Sequence, residues 1–353
     1  MCGNEALAEA AVRAGCDAYF GYPITPQNEI TAYMSRRMAE EGRVFVQSES
    51  ELAAINMVFG ASATGKRAMT SSSSPGISLM QEGISYLAGA ELPAVIVNVM
   101  RGGPGLGNIA PSQGDYFQAT RGGGHGDYKT IVLGPSSVQE LADSMPLAFD
   151  LADQYRMPVL VLADGVLGQM MEPVAFETRS RRELPVKDWA LTGTKGRKQN
   201  IVRSLWLEDG VLEKLNEKLQ AKYRVIREKE VLCEEYRLDD AEIVVVAYGI
   251  AARISRAAVD QARAEGIPIG LIRPITLWPF PSERVSRAAE QFRVFLTVEM
   301  SAGQMVEDVR LAVAGKVPVL FYGRMGGGIP TVDEVLEKIR QLTLRGSVAQ
   351  ARS

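Results

Sequence analysis

Val95-Ile96-Val97-Asn98-Val99 leads through Met100 into Arg101-Gly102-Gly103-Pro104-Gly105-Leu106-Gly107, an apolar β-branched run that breaks into a glycine-rich loop headed by arginine. A nearly continuous apolar run of this length reads as a parallel strand buried on both faces. An arginine at the carboxyl end of such a strand stands where open α/β sheets bind their ligands. It can grip a carboxylate through a bidentate contact, and the glycines let backbone approach a bound group closely. A flexible surface loop is the alternative reading of the same residues.

Working outward, similar short runs recur at 18–20, 44–46, 68–70, 131–133 and 159–162, separated by helical patterns at 4–14, 26–40, 49–63, 76–89 and 137–155. This alternation predicts βαβ units around a mostly parallel sheet over residues 1–172. The pattern breaks at 173. Residues 181–240 hold 14 Lys+Arg and 12 Asp+Glu, a near balance of sign that reads as solvated surface. Within that stretch Leu212, Leu215, Leu219, Tyr223 and Ile226 are spaced three or four apart, which predicts an amphipathic helix packed on the body or on a partner. A second α/β unit follows over 241–342, with strands at 243–247, 267–272, 294–298 and 317–321 and a last helix at 331–342; residues 343–353 read as a fraying tail.

Composition closes off several classes of function. The 353 residues suffice for two domains. With 39 Lys+Arg against 42 Asp+Glu, the chain has no excess of positive charge for binding nucleic acid. One histidine, His125, and three scattered cysteines, Cys2, Cys16 and Cys233, cannot build a four-thiolate iron–sulfur site or a histidine zinc site within one copy. The same cysteine usage suits a reducing cytoplasm better than a disulfide scaffold. No leader pattern opens the chain, and its apolar runs fall short of the roughly 20 residues that span a membrane.

Four further segments sit at expected strand ends. Gly21-Tyr22-Pro23-Ile24-Thr25-Pro26 opens a helix, and Thr25 is also a natural N-cap. In Gln47-Ser48-Glu49-Ser50-Glu51 the pair Ser48 and Glu51 fits a capping box, which leaves Glu49 over. Thr70-Ser71-Ser72-Ser73-Ser74-Pro75-Gly76 supplies hydroxyls and free N–H groups, or simply a turn and cap. Gly122-Gly123-Gly124-His125-Gly126-Asp127 holds the lone histidine, as a tuned acid–base or as a structural residue.

Taken in order, these segments resemble the alpha subunit of the thiamine-diphosphate-dependent 2-oxoacid:ferredoxin oxidoreductase family. The likeness rests on GYPITP (21–26), QSE (47–49), RGGPGLG (101–107) and GGGHGD (122–127), with RPITLWPFP (273–281) and VEMSAGQM (298–305) in the second unit. The stretch from Gly105 to Tyr128 is most similar to the sub-type acting on 3-methyl-2-oxobutanoate; 2-oxoglutarate members more often carry Ser-Thr in place of Gly105-Leu106.

The resemblance implies two three-layer α/β domains, a pyrimidine-type thiamine diphosphate domain over 1–172 and a transketolase C-terminal-like domain over 241–342. It assigns Glu49 as the catalytic carboxylate at N1′ of the cofactor, Thr25, Arg101 and His125 to the substrate, and Tyr22, Pro23, Ser73 and Ser74, with Glu49, to the cofactor. No metal ligand is expected in this chain: Ala163-Asp164-Gly165 lacks the leading glycine of a diphosphate–Mg²⁺ motif and reads as a strand-end turn. Mg²⁺ and iron–sulfur clusters are expected on a beta subunit and its associates, alongside a gamma subunit and a ferredoxin-like subunit. Coenzyme A is the expected co-substrate and ferredoxin the acceptor. Three rival expectations are a 2-oxoglutarate enzyme, a non-oxidative decarboxylase subunit and a non-catalytic assembly subunit.

Overall fold

The computed structural model describes residues 1–176 and 182–350, with side chains up to 343. Six strands of the first unit are β1 (Ala18–Gly21), β2 (Val44–Gln47), β3 (Ala68–Ser72), β4 (Ala94–Met100), β5 (Ile131–Leu133) and β6 (Pro158–Asp164). Its helices are α1 (Gly3–Arg13), α2 (Asn28–Glu40), α3 (Glu51–Ala63), α4 (Ser74–Gly89), α5 (Tyr116–Arg121), α6 (Val138–Tyr155) and α7 (Gly165–Gln169), followed by α8 (Val211–Lys229). The second half adds β7 (Cys233–Tyr236), β8 (Ile243–Val246), α9 (Gly249–Ala264), β9 (Ile269–Pro274), β10 (Thr276–Trp278), α10 (Ser282–Ala288), β11 (Val294–Glu299), α11 (Met305–Val313), β12 (Val319–Gly323) and α12 (Val332–Gln350).

The first sheet runs β10-β5-β6-β4-β3-β1-β2, parallel but for β10. Right-handed crossovers in this order put α2 and α6 on one face and α3 and α4 on the other. The second sheet runs β12-β11-β8-β9-β7, parallel but for β7. β3, β4, β5 and β6 are buried throughout. β2 is not: as the outer edge it pairs only with β1, and Val44 is 50% exposed.

Several expectations shift. The apolar face of α8 packs on the body through Leu219, Tyr223 and Ile226, while Leu212 in its first turn stays exposed. Tyr223 meets Trp278 edge-on at 5.6 Å, so α8 and β10 close the β5 edge together. Sequence periodicity gives no sign of β10 or β7, which are short antiparallel edge strands made by distant residues. The last helix continues to Gln350, past the expected stop at 342, and residues 351–353 of the expected tail lie outside the described residues.

The two motifs of the second unit contain structural fasteners. Arg273, 5% exposed, bonds Glu140 of α6 through both Nη atoms (2.9 and 2.8 Å) and Glu234 of β7 through Nε (2.6 Å). Glu299 accepts the backbone N–H groups of Gln304, Met305 and Val306 at the start of α11, and burial pushes its carboxyl up. Between the units, Gln113 donates to Tyr248 O (2.9 Å) and accepts from Met300 N (2.9 Å), and Tyr116 Oη donates to Asp308 (2.7 Å).

Asp164 ends β6 and caps α7, accepting from Val166 N (2.9 Å) and Leu167 N (3.1 Å), as a strand-end turn should. Burial pushes its carboxyl from 3.8 up to about 6, against the pull of backbone N–H groups at Leu167, Ile250 and Val166. The folded protein therefore holds this proton more tightly than the unfolded chain. Its contribution to stability is full below about pH 4 and is lost as pH rises through about 6. Asp164→Asn keeps an acceptor and removes the titration. Urea unfolding should then show a smaller stability difference between about pH 4 and about pH 7 than in the wild type.

Candidate active site at the strand ends

The order β4-β3-β1-β2 sets four connections side by side at the carboxyl edge of the first sheet: 101–115, the single residue Ser73, 22–27 and 48–50. Arg101 leaves β4 with only 7% of its surface exposed. Its Nη1 donates to Thr25 O and its Nη2 to Leu106 O, each at 3.0 Å. Nε is buried without a partner, and among the described residues no carboxylate forms an ion pair with the guanidinium. A buried cation held by neutral carbonyls alone suits an anion supplied from outside the chain.

Ser74 fixes the backbone of this arginine. Its Oγ accepts from Arg101 N (3.0 Å) and donates to Asp115 Oδ2 (2.6 Å), which also accepts from Asn98 Nδ2 (2.9 Å). Asn98 Oδ1 in turn accepts from Ser74 N at 3.1 Å. Desolvation raises the Asp115 carboxyl, opposed by its bonds from Ser74 and Asn98. The Ser74 hydroxyl, expected to meet a cofactor, is thus committed inside the protein. Ser73 Oγ is fully buried with no partner, and it does not cap α4. Asn98 and Asp115 were absent from the expected site, although an asparagine inside an otherwise apolar buried strand is itself a signal.

Thr25 is not the N-cap of α2. That helix starts at Asn28, whose Nδ2 donates to Thr25 Oγ1 at 3.4 Å. Gln27 instead ties the loop to β3 by accepting from Ser71 Oγ (2.6 Å), leaving Thr25 half-buried with its carbonyl on Arg101. Tyr22 and Pro23 lie exposed beside it.

The capping box of Ser48 and Glu51 is also replaced. Ser50 is the N-cap of α3, accepting from Ala53 N at 3.2 Å, and Ser48 Oγ donates to Ser50 O. Glu51 turns inward, 3.4 Å from Ser72 Oγ; a Cβ on Gly76 would stand 2.4 Å from its Oε1, so only glycine admits this approach. Glu49, free of any capping duty, is exposed and has no hydrogen-bond or ion-pair partner among the described residues.

His125 stands apart. Its carbonyl accepts from Ser85 Oγ (2.9 Å), eleven residues along α4 from Ser74. At 1.5 Å per residue that contact lies roughly 16 Å along the helix from Ser74, and the His125 side chain is exposed.

The residues present fit the aminopyrimidine end of thiamine diphosphate: an uncommitted carboxylate at the end of β2, with exposed Tyr22 and Pro23 after β1 and the orphaned Ser73 hydroxyl after β3 on the same edge of the sheet. Asp164, the nearest candidate for a metal-binding aspartate, is spent on capping α7. None of the described helices is long and apolar enough to cross a membrane.

Comparison with known proteins gives the family. The family model "Pyruvate flavodoxin/ferredoxin oxidoreductase, thiamine diP-bdg" matches residues 9–223, and "Pyruvate:ferredoxin oxidoreductase core domain II" matches 241–335. The chain is 57% identical to ketoisovalerate oxidoreductase subunit VorB of Methanothermobacter thermautotrophicus, over 96% of each chain. It is 40% identical to 2-oxoglutarate synthase subunit KorA of Methanothermobacter marburgensis, over 96% of this chain and 97% of that one. The solved 2-oxoglutarate:ferredoxin oxidoreductase of Magnetococcus marinus, with 2-oxoglutarate, coenzyme A and succinyl-CoA bound, superposes with a TM-score of 0.85 at 25% identity. That match covers 97% of this chain and 64% of the other, so the chain spans a little under two thirds of its length. With both of its modules matched and the arginine-led strand end in place, the chain belongs to the 2-oxoacid:ferredoxin oxidoreductase family, as an oxidoreductase subunit carrying its thiamine-diphosphate-binding domain.

Proposed function

We propose that this chain is the subunit that activates thiamine diphosphate and grips the substrate in a complex converting 3-methyl-2-oxobutanoate and other branched-chain 2-oxoacids, with coenzyme A, to the acyl-CoA and CO₂. The two electrons released pass to ferredoxin. In this reading residues 1–172 act as the pyrimidine-type domain and the unit from 241 as the transketolase C-terminal-like domain.

The observation that carries the reading is the buried Arg101 with a free Nε and no acidic partner among the described residues. A 2-oxoacid brings the missing carboxylate, and Thr25 stands beside it to meet the neighbouring oxygen. When bound, thiamine diphosphate supplies a carbanion equivalent and an electron sink. Glu49 holds a proton at N1′ of the aminopyrimidine, which biases the ring toward the tautomer that acts as an internal base. Tyr22 and Pro23 would hold that ring, and Ser73 would offer its unpaired hydroxyl.

Partner chains supply Mg²⁺, the diphosphate site and the iron–sulfur clusters, consistent with the duties of Asp164 here. An exposed apolar rim of Tyr22, Leu52, Leu79, Leu106 and Ile109 around the strand ends suits coverage by such a partner. Three free cysteines suit the cytoplasm.

Leu106 supports the branched-chain preference. Its carbonyl holds Arg101 Nη2 while its side chain is 79% exposed, an apolar neighbour for the substrate tail rather than a second cation for a distal carboxylate. The test is kcat/KM for 2-oxoisovalerate, 2-oxoglutarate, pyruvate and aryl 2-oxoacids, read as viologen reduction by the reconstituted complex. 2-Oxoisovalerate should lead, and Leu106→Thr should erode its advantage over 2-oxoglutarate by about 10-fold. A lead for 2-oxoglutarate in the wild type overturns the preference; release of aldehyde without CoA-dependent dye reduction overturns the oxidative reaction.

A further inference from the structure

We infer that Asn108, seated on the Gly326–Gly327 turn of the second unit, is the positioning residue that sets the Arg101 guanidinium, so that the second unit takes part in 2-oxoacid binding through the loop it supports. This rests on the reading of Arg101 as the carboxylate anchor.

The loop after β4 folds back on itself. Arg101 bridges to Pro111, Gly102 N donates to Ala110 O (2.8 Å), and Asn108 N donates to Gly102 O (2.9 Å). Leu106, whose carbonyl holds Arg101 Nη2, sits two residues before Asn108 inside this closed ring. The Asn108 side chain faces both ways. Its Oδ1 accepts from Ala110 N (3.0 Å) within the loop, and its Nδ2 donates to Gly326 O (2.9 Å) across the unit boundary. Among the described residues, that is the one hydrogen bond joining residues 102–110 to the second unit.

Close packing reinforces it. A Cβ on Gly327 would lie 2.5 Å from Ala110 Cβ and 3.2 Å from Asn108 Nδ2, and one on Gly102 would lie 3.2 Å from the Gly326 carbonyl carbon. Gly326 and Gly327 both take positive φ (60° and 96°), so the turn needs glycine for its own shape as well as for the contact. The turn is itself braced: Arg324 pairs with Glu334, which accepts from Thr331 N (2.8 Å), while Thr331 Oγ1 accepts from Glu334 N (3.2 Å). A capping box on α12 thus backs the turn, the turn backs Asn108, and Asn108 backs the carbonyl that aims Arg101.

Asn108→Ser isolates the cross-unit bond: serine keeps a short acceptor for Ala110 N but cannot reach Gly326. Gly327→Ala presses on the same contact from the other side. In the reconstituted complex each should lower kcat/KM for 2-oxoisovalerate by about 10-fold, mainly through KM, with KM for CoA unchanged. In an Arg101→Ala background, Asn108→Ser should add nothing further, because its effect runs through the arginine. Wild-type KM in Asn108→Ser, an equal rise in KM for CoA, or a full additional loss in the Arg101→Ala background overturns the inference and leaves Arg101 as the anchor. Unchanged KM in Arg101→Ala alone overturns the underlying reading instead. Asn108→Ser adds no volume, so it decides the question even if Gly327→Ala fails to assemble.

Discussion

Glu49→Gln lowers kcat for 2-oxoacid-dependent dye reduction by about 10²- to 10⁴-fold in the assembled complex, the range expected when a positioned proton-handling group is lost. KM for the 2-oxoacid should stay within about twofold, because the proposed role sets the residue against the cofactor and not the substrate. Glutamine has nearly the same shape but presents an amide in place of an ionisable carboxyl, so it cannot share a proton with a ring nitrogen in the same way. The placement of Glu49 makes this a clean experiment. It has no partner among the described residues and plays no part in capping α3, so the substitution should leave thermal stability unchanged. Steady-state kinetics and a melting curve on the same preparation check both statements.

Arg101→Ala should act on the other kinetic parameter. Truncating one member of a buried charge pair typically costs about 2–5 kcal/mol, a factor of about 30 to several thousand in kcat/KM for the 2-oxoacid. KM should carry most of the loss, with KM for CoA near its wild-type value. Arg101→Lys should recover little, since an ammonium cannot span the carbonyls of Thr25 and Leu106 and still present a donor to the ligand as the planar fork does. Substrate saturation curves for the wild type and both variants separate these outcomes; equal saturation in all three would remove Arg101 from the substrate site.

Much of the first unit was legible because its strands are short apolar runs between periodic helices, and burial on both faces leaves that signature in local sequence. β4 and its arginine loop were the clearest case. β2 was read as a strand for the same reason, yet its exposure depends on being the sheet edge, which no local pattern encodes. β7 and β10 escaped because three- or four-residue antiparallel edges are decided by what they pair with.

At the site, Glu49, Thr25 and Arg101 are each visible as motif residues, but the local capping rules point to the wrong N-cap in two of the loops. Thr25 and Ser48 both look like caps; tertiary contacts from Arg101 and the inward turn of Glu51 move the true helix starts two or three residues on. Ser74 differs from the plain hydroxyl that the loop sequence offers: its Oγ is already bonded to Asp115 and to the Arg101 N–H. The Asn108–Gly326 bond joins residues 218 apart, a separation that no reading of spacing along the chain can bridge.

Activation of the organic cofactor by this subunit, in the proposed reading, runs through Glu49. Its most direct test is the rate of deuterium exchange at C2 of thiamine diphosphate in the assembled complex, compared between wild type and Glu49→Gln by acid quench and NMR. Exchange slowed by about 10²-fold or more in the variant is the predicted result; equal rates would contradict it.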